Sequence, residues 1–116
     1  MVMSSLHSLI EKVDAVIDAN LLNPNFGTQE LADLLFMSRV HLFRKLKGLT
    51  GKSPTTYIRE YRLAIGMELL LTTDKPIYQI AYEIGFKDPA HFSKAFKEYY
   101  GMTPKEARKQ PPYKKW

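Results

Sequence analysis

The chain contains no cysteine in its 116 residues. That excludes a disulfide framework, thiolate zinc ligation and a cysteine nucleophile, and it fits a reducing cytoplasm, the expected location. It has no apolar run of the length that spans a bilayer, so no membrane contact is expected. Met1 to Ser5 lacks both a basic start and an apolar core, which argues against a secretory signal. The same five residues read as an arbitrary beginning, as in a fragment of a longer protein. Low-complexity segments are absent too.

Basic residues are scarce in the first third. Up to Phe36 there is one base (Lys12) against five acids (Glu11, Asp14, Asp18, Glu30, Asp33), a net of −4. From Met37 onward sixteen bases meet seven acids, a net of +9. Segregated positive charge suits a polyanion. A solvated basic surface accounts for the count equally well, so the charge needs support from pattern.

The pattern is an internal repeat. Ala32-Asp33-Leu34-Leu35-Phe36-Met37 opens a stretch that passes through Phe43-Arg44-Lys45-Leu46-Lys47 and ends at Gly51-Lys52-Ser53-Pro54. Ala81-Tyr82-Glu83-Ile84-Gly85-Phe86 opens a second stretch, through Ser93-Lys94-Ala95-Phe96-Lys97 to Gly101-Met102-Thr103-Pro104. The offset is 49 residues before the turn and 50 after it, so the second copy carries one more residue there. A period of this size marks one supersecondary unit used twice. Each copy reads as a short helix, a tight turn, a basic helix, a glycine stop and a new helix start, the plan of a helix-turn-helix.

Periodicity predicts seven helices and no strand. Leu6, Leu9, Ile10, Val13, Val16 and Ile17 make an amphipathic first helix, with Ser4 or Ser5 as its cap. A loop over Asn20 to Gly27 follows. Thr28 is read as the cap of a short helix carrying Leu31, Leu34 and Leu35. Ser38 caps the next, with Leu42, Leu46 and Leu49, which stops near Gly51. A longer helix runs from about Pro54 to Leu71 with Tyr57, Ile58, Tyr61, Ile65, Leu69 and Leu70 as apolar positions. Pro76 starts a short helix with Ile77, Ile80, Ala81 and Ile84. Ser53-Pro54, Asp88-Pro89 and Thr103-Pro104 each pair a capping side chain with a proline that lacks an N–H the helix start leaves unpaired anyway. Glu106 completes a capping box with Thr103. The segment 110–116 is expected to be a mobile basic tail.

Both basic helices have a definable outer face. At 100° per residue Leu42, Leu46 and Leu49 share one side of the first, and Val40, Arg44 and Lys47 lie opposite, flanked by His41 and Phe43. In the second, Phe92, Phe96 and Tyr99 are predicted inward. Ala90, Lys94 and Lys97 lie opposite, flanked by His91 and Ser93. A long cation can reach a guanine edge, small groups can meet thymine methyls, and further cations can neutralise phosphate. One such helix is usually a solvated face; two in matching phase, each behind a short helix and turn, are not. Phe43 either touches a thymine methyl or sugar or packs under the N-terminal arm. His41 and His91 fit a DNA contact and partial burial equally well.

With these motifs in place the tandem resembles the DNA-binding domain of the AraC/XylS family of bacterial transcription regulators, over roughly Leu6 to Lys109. The most specific residues are Ile80-Ala81, Gly85-Phe86, Phe92-Ser93-Lys94, Phe96-Lys97 and Gly101-Met102-Thr103-Pro104. Met37-Ser38-Arg39, Arg44-Lys45-Leu46-Lys47 and Leu49-Thr50-Gly51 resemble regulators fused to two-component sensor kinases. The resemblance implies an all-α fold with two helix-turn-helix subdomains, at about 28–51 and 76–101, joined by a helix over about 54–71. It implies recognition helices near Arg39–Leu49 and Pro89–Tyr100 that enter successive major grooves of double-stranded operator or promoter DNA. The base-contact candidates are Val40, Phe43, Arg44, Ala90, His91, Ser93 and Lys94. The phosphate-contact candidates are Thr28, Ser38, Arg39, Lys47, Asp88 and Lys97. RNA polymerase and a sensory or receiver domain elsewhere in a longer protein are the further partners implied. One residue departs from the family: Phe36 stands where the second copy has Gly85, and a turn with φ > 0 would strain it by roughly 1 kcal/mol or more.

Rival readings fare worse. Gly51-Lys52-Ser53 resembles the end of a phosphate-binding loop, but the first glycine of that motif would fall at Leu46, and a helix precedes it. The histidines form no metal pair with a carboxylate, Ser38 and His41 lack an acid partner, and neither enzyme, metal nor cofactor is expected. A helical protein–protein interaction module without DNA specificity is the remaining alternative. Sequence-dependent DNA affinity separates the two.

Overall fold

The computed structural model describes residues 2–110, with side chains from Ser8 onward. The predicted tail at 111–116 lies outside the described residues. Seven helices and no strand are found among them: α1 (Val2–Ala19), α2 (Thr28–Leu34), α3 (Arg39–Thr50), α4 (Pro54–Thr72), α5 (Ile77–Glu83), α6 (Pro89–Tyr100) and α7 (Pro104–Lys109). The chain divides into two compact units, residues 1–61 and 62–116, and α4 contributes its first part to one and its second to the other.

The core of the N-terminal unit is Val13 and Ile17 of α1, Phe26 of the loop, Leu31 and Ala32 of α2, Leu42 and Leu46 of α3, and Ile58 of α4. Leu9, Ile10, Val16, Leu35 and Met37 pack around it. The Tyr57 hydroxyl donates to Asp14 Oδ1 at 2.7 Å, tying α1 to the start of α4. Burial raises the Tyr57 pKa, and the Asp14 hydrogen bond and charge add to the shift.

In the C-terminal unit Leu63, Leu70, Ile80, Ala81, Ile84, Phe86, Phe92, Ala95, Phe96 and Ala107 are buried. Phe86, Phe92, Phe96 and Tyr100 form a chain of ring contacts with centroids 5.4, 5.5 and 4.7 Å apart. Arg62, Gly66 and Leu70, four residues apart on α4, form its buried stripe here. Arg62 Nη1 donates to the Ile84 carbonyl at 2.6 Å, and burial lowers the guanidinium pKa. Gly66 lets Ile84 and Phe92 approach: a Cβ there would lie 2.9 Å from Ile84 Cδ1. Arg108 fans over three carbonyls, those of Leu70, Thr73 and Lys75, at 2.7–3.1 Å. These include acceptors at the end of α4 that have no partner within the helix.

The paired cap-and-proline starts hold. Ser53 Oγ accepts from Thr56 N at 3.3 Å, Asp88 Oδ1 from His91 N at 2.7 Å, and Thr103 Oγ1 from Glu106 N at 3.1 Å. Glu106 returns the bond by accepting from Thr103 N at 2.8 Å, which holds its carboxyl below the usual range.

Several expectations need correction. α1 begins at Val2, so Ser4 and Ser5 lie within it and neither caps it. Gly27, not Thr28, is the N-cap of α2; Glu30 Oε1 accepts from Gly27 N at 2.9 Å and Thr28 is the first helical residue. Pro76 is likewise the cap of α5 rather than its first residue. Leu34 is exposed and Ala32 takes its place in the core. Tyr99 is exposed and Ala95 is buried instead, because the inward stripe of α6 follows the three- and four-residue steps Phe92, Ala95, Phe96.

Candidate nucleic-acid interface

Each copy turns in the same way. Met37 N donates to the Ala32 carbonyl and Phe86 N to the Ala81 carbonyl, both at 2.9 Å. Phe36 and Gly85, one residue earlier, have φ of 58° and 91°. A left-handed residue with this bond behind it ends a helix and reverses the chain. Glycine adopts that geometry freely and phenylalanine does not. Met37 and Phe86 then tuck toward the cores, and the caps Ser38 and Asp88 start the basic helices. Gly51 and Gly101, with φ of 77° and 79°, end them.

Complete burial of Leu42 and Leu46 fixes the phase of α3. Its other side therefore faces water, with Val40 61% and Phe43 47% exposed. Arg39, His41, Arg44 and Lys47 are exposed with them. Neither Val40 nor Phe43 is among the side chains packed on the core. Arg39, Val40, Phe43 and Arg44 line one open concavity of about 760 Å³ with Thr28, Ser53, Pro54 and Thr55. Thr28 and Thr55 share a hydroxyl hydrogen bond at 3.1 Å across its edge. Ser53, Pro54 and Thr55 were not among the sequence candidates. Read locally they are only the start of α4, and no pattern in the chain places that start beside α3.

On α6, burial of Phe92, Ala95 and Phe96 turns Ala90, His91, Lys94 and Lys97 outward and leaves Ser93 half-buried. The His91 ring meets Phe86 edge-on at 5.8 Å but stays exposed, as His41 does. Ser38 and Asp88 are exposed, each accepting from the backbone N–H three residues on, and Thr28 is half-buried. Among the described residues Arg39, Arg44, Lys47 and Lys94 stand in no ion pair, whereas Lys52 pairs with Glu60 and Lys75 with Glu83. No group of three metal-ligating side chains occurs among the described residues, and no described helix is long and apolar enough to cross a membrane.

A helix-turn-helix domain family matches residues 31–110. The solved structure of a transcriptional regulator from Chromobacterium violaceum, described as of the AraC DNA-binding type, superposes with a TM-score of 0.81 at 30% identity. The match covers 93% of this chain and 98% of that one. The chain belongs to the AraC-type helix-turn-helix family. It is a DNA-binding domain. The DNA-binding domain of AdpA, a global transcriptional factor, solved in complex with a target DNA, superposes with a TM-score of 0.77 at 28% identity, covering 84% of this chain and 87% of that one. A histidine kinase P4 from Formosa agariphila is 36% identical over 98 residues, 84% of this chain but 7% of its own length. The chain spans a third or less of the length of the first curated relatives it matches.

Proposed function

We propose that this AraC-type domain reads double-stranded operator or promoter DNA with α3 and α6, placed in successive major grooves of one site. The observation that carries the reading is the repeated outer face: Val40, Phe43 and Arg44 on α3 recur as Ala90, Ser93 and Lys94 on α6, all exposed except Ser93, which is half-buried. His91 joins the base-facing set. Arg39, Lys47 and Lys97 are assigned to phosphates, with Thr28, Ser38 and Asp88 at helix starts whose N–H groups favour anions. Because the two faces differ in composition, the site bound by one chain is asymmetric. The short share of its relatives' length supports a longer protein; a sensory or receiver domain that controls this one, and RNA polymerase as the downstream partner, are the roles assigned to the rest.

The test is selection of bound duplexes from a random library, followed by affinity measurement over a range of salt. A defined asymmetric sequence is expected, with log K falling steeply as log salt rises. Equal binding to every duplex, or no salt slope, would leave the protein–protein module as the better reading.

A further inference from the structure

We propose that the N-terminal unit selects thymine, with Val40 and Phe43 contacting the 5-methyl groups of thymines beside the base pair that Arg44 reaches. The proposal rests on the DNA-binding reading and names what α3 selects within it.

Val40 and Phe43 are apolar side chains with no part in the core. Leu42 and Leu46 fill that role on the same helix, leaving Val40 61% and Phe43 47% exposed. Both line a concavity whose other walls are two arginines free of ion pairs, Arg39 and Arg44, three hydroxyl-bearing residues, Thr28, Ser53 and Thr55, and Pro54. An apolar peptide would gain nothing from those cations, whereas a polyanion with an apolar feature at its centre satisfies both. In the major groove only thymine presents such a feature, its 5-methyl group. Of the bonded Thr28–Thr55 pair, the hydroxyl that accepts keeps its proton for a phosphate oxygen.

The spacing agrees. Phe43 and Arg44 lie three and four residues after Val40, on one side of the helix and about 4.5 and 6 Å along its axis. Base pairs stack about 3.4 Å apart, so the three side chains cover one to two steps. The second copy lacks this equipment. Ala90 and Ser93 occupy the equivalent places, with a methyl group and a hydroxyl where α3 has an isopropyl group and a ring. Ala90 can offer a thymine only one methyl group, so the larger methyl contact is assigned to α3.

The experiment replaces each thymine of the selected duplex singly by uracil, which removes the methyl and keeps every hydrogen-bonding group. Affinities are measured at fixed salt for the wild-type chain and for the Val40→Ala and Phe43→Ser variants. Both substitutions lie at exposed positions, and thermal melting checks that each variant is folded. At one or more thymines the wild type is expected to lose about three- to tenfold in affinity. At those same positions one or both variants should bind thymine and uracil duplexes alike. Uniform tolerance of uracil by the wild type overturns the proposal, as does a penalty that persists unchanged in both variants. If no duplex is preferred over another, the DNA-reading assignment falls first and this one with it.

Discussion

Phe36 and Gly85 occupy the same place in the two turns and share a left-handed backbone, with φ of 58° and 91°. Phe36 is 97% exposed, so its ring gains no packing in return for the strain. Phe36→Gly is expected to raise the stability of the N-terminal unit by about 0.5–1 kcal/mol, the relief of strain being partly offset by the extra freedom of glycine in the unfolded chain. Gly85→Ala should lower stability by about 1–2 kcal/mol. Urea denaturation of both variants checks the pair, and opposite shifts of the midpoint are the required outcome.

Arg62 is a buried cation whose Nη1 satisfies the Ile84 carbonyl at the end of α5. Arg62→Met keeps much of the side-chain volume and removes the donor. Destabilisation by about 1–3 kcal/mol is expected, since the acceptor is left in a buried setting. Chemical denaturation measures the loss, and exchange of amides in α5 with solvent should quicken.

Leu46 and Phe96 are fully buried, one in each unit. Truncation of either to alanine should cost roughly 2–5 kcal/mol through the cavity it leaves. DNA affinity then falls because the unit unfolds, and it should recover on cooling or at low denaturant. Melting curves unchanged in both variants would contradict the burial described here.

Arg44 and Lys94 are the equivalent outer cations of α3 and α6. Arginine offers a planar fork that can hold guanine O6 and N7 together; lysine offers a mobile point charge. Arg44→Ala is expected to remove roughly 1–3 kcal/mol of binding and to relax the preference at particular bases. Lys94→Ala should weaken binding evenly across sequences and reduce the salt slope by about one. Site selection with each variant, repeated at several salt concentrations, separates the two roles. Loss of a base preference with Lys94→Ala but not with Arg44→Ala would reverse them.

Glu83 and Glu106 are held below the usual carboxylate range, Glu83 by hydrogen bonds from Lys75 and Gln79, Glu106 by the Thr103 backbone. A carboxyl with a depressed folded-state pKa adds stability above its unfolded value, and that part is lost as pH falls through the folded one. Stability of the C-terminal unit should therefore decline as pH drops below the glutamate value of 4.5. The double variant Glu83→Gln, Glu106→Gln should show a shallower acid limb in melting temperature against pH.

Much of this molecule was written in short-range pattern. Caps act over three residues, so Ser38, Ser53, Asp88 and Thr103 were legible as helix starts, and the repeat aligned both turns. The outer faces of α3 and α6 followed from the three- and four-residue spacing of Leu42 and Leu46 and of Phe92 and Phe96. Tertiary structure alone decided what depends on distant neighbours. Arg62 carries no local signal of burial; its acceptor, the Ile84 carbonyl, lies 22 residues on. Leu34 and Tyr99 read as core until Ala32 and Ala95 are seen to face inward, since several apolar residues on a short helix compete for one buried side. Thr28, Ser53, Pro54 and Thr55 became neighbours of Arg44 only because the starts of α2 and α4 meet α3. Sequence specifies the helices because their signals are local; which side chains share a site depends on how those helices pack.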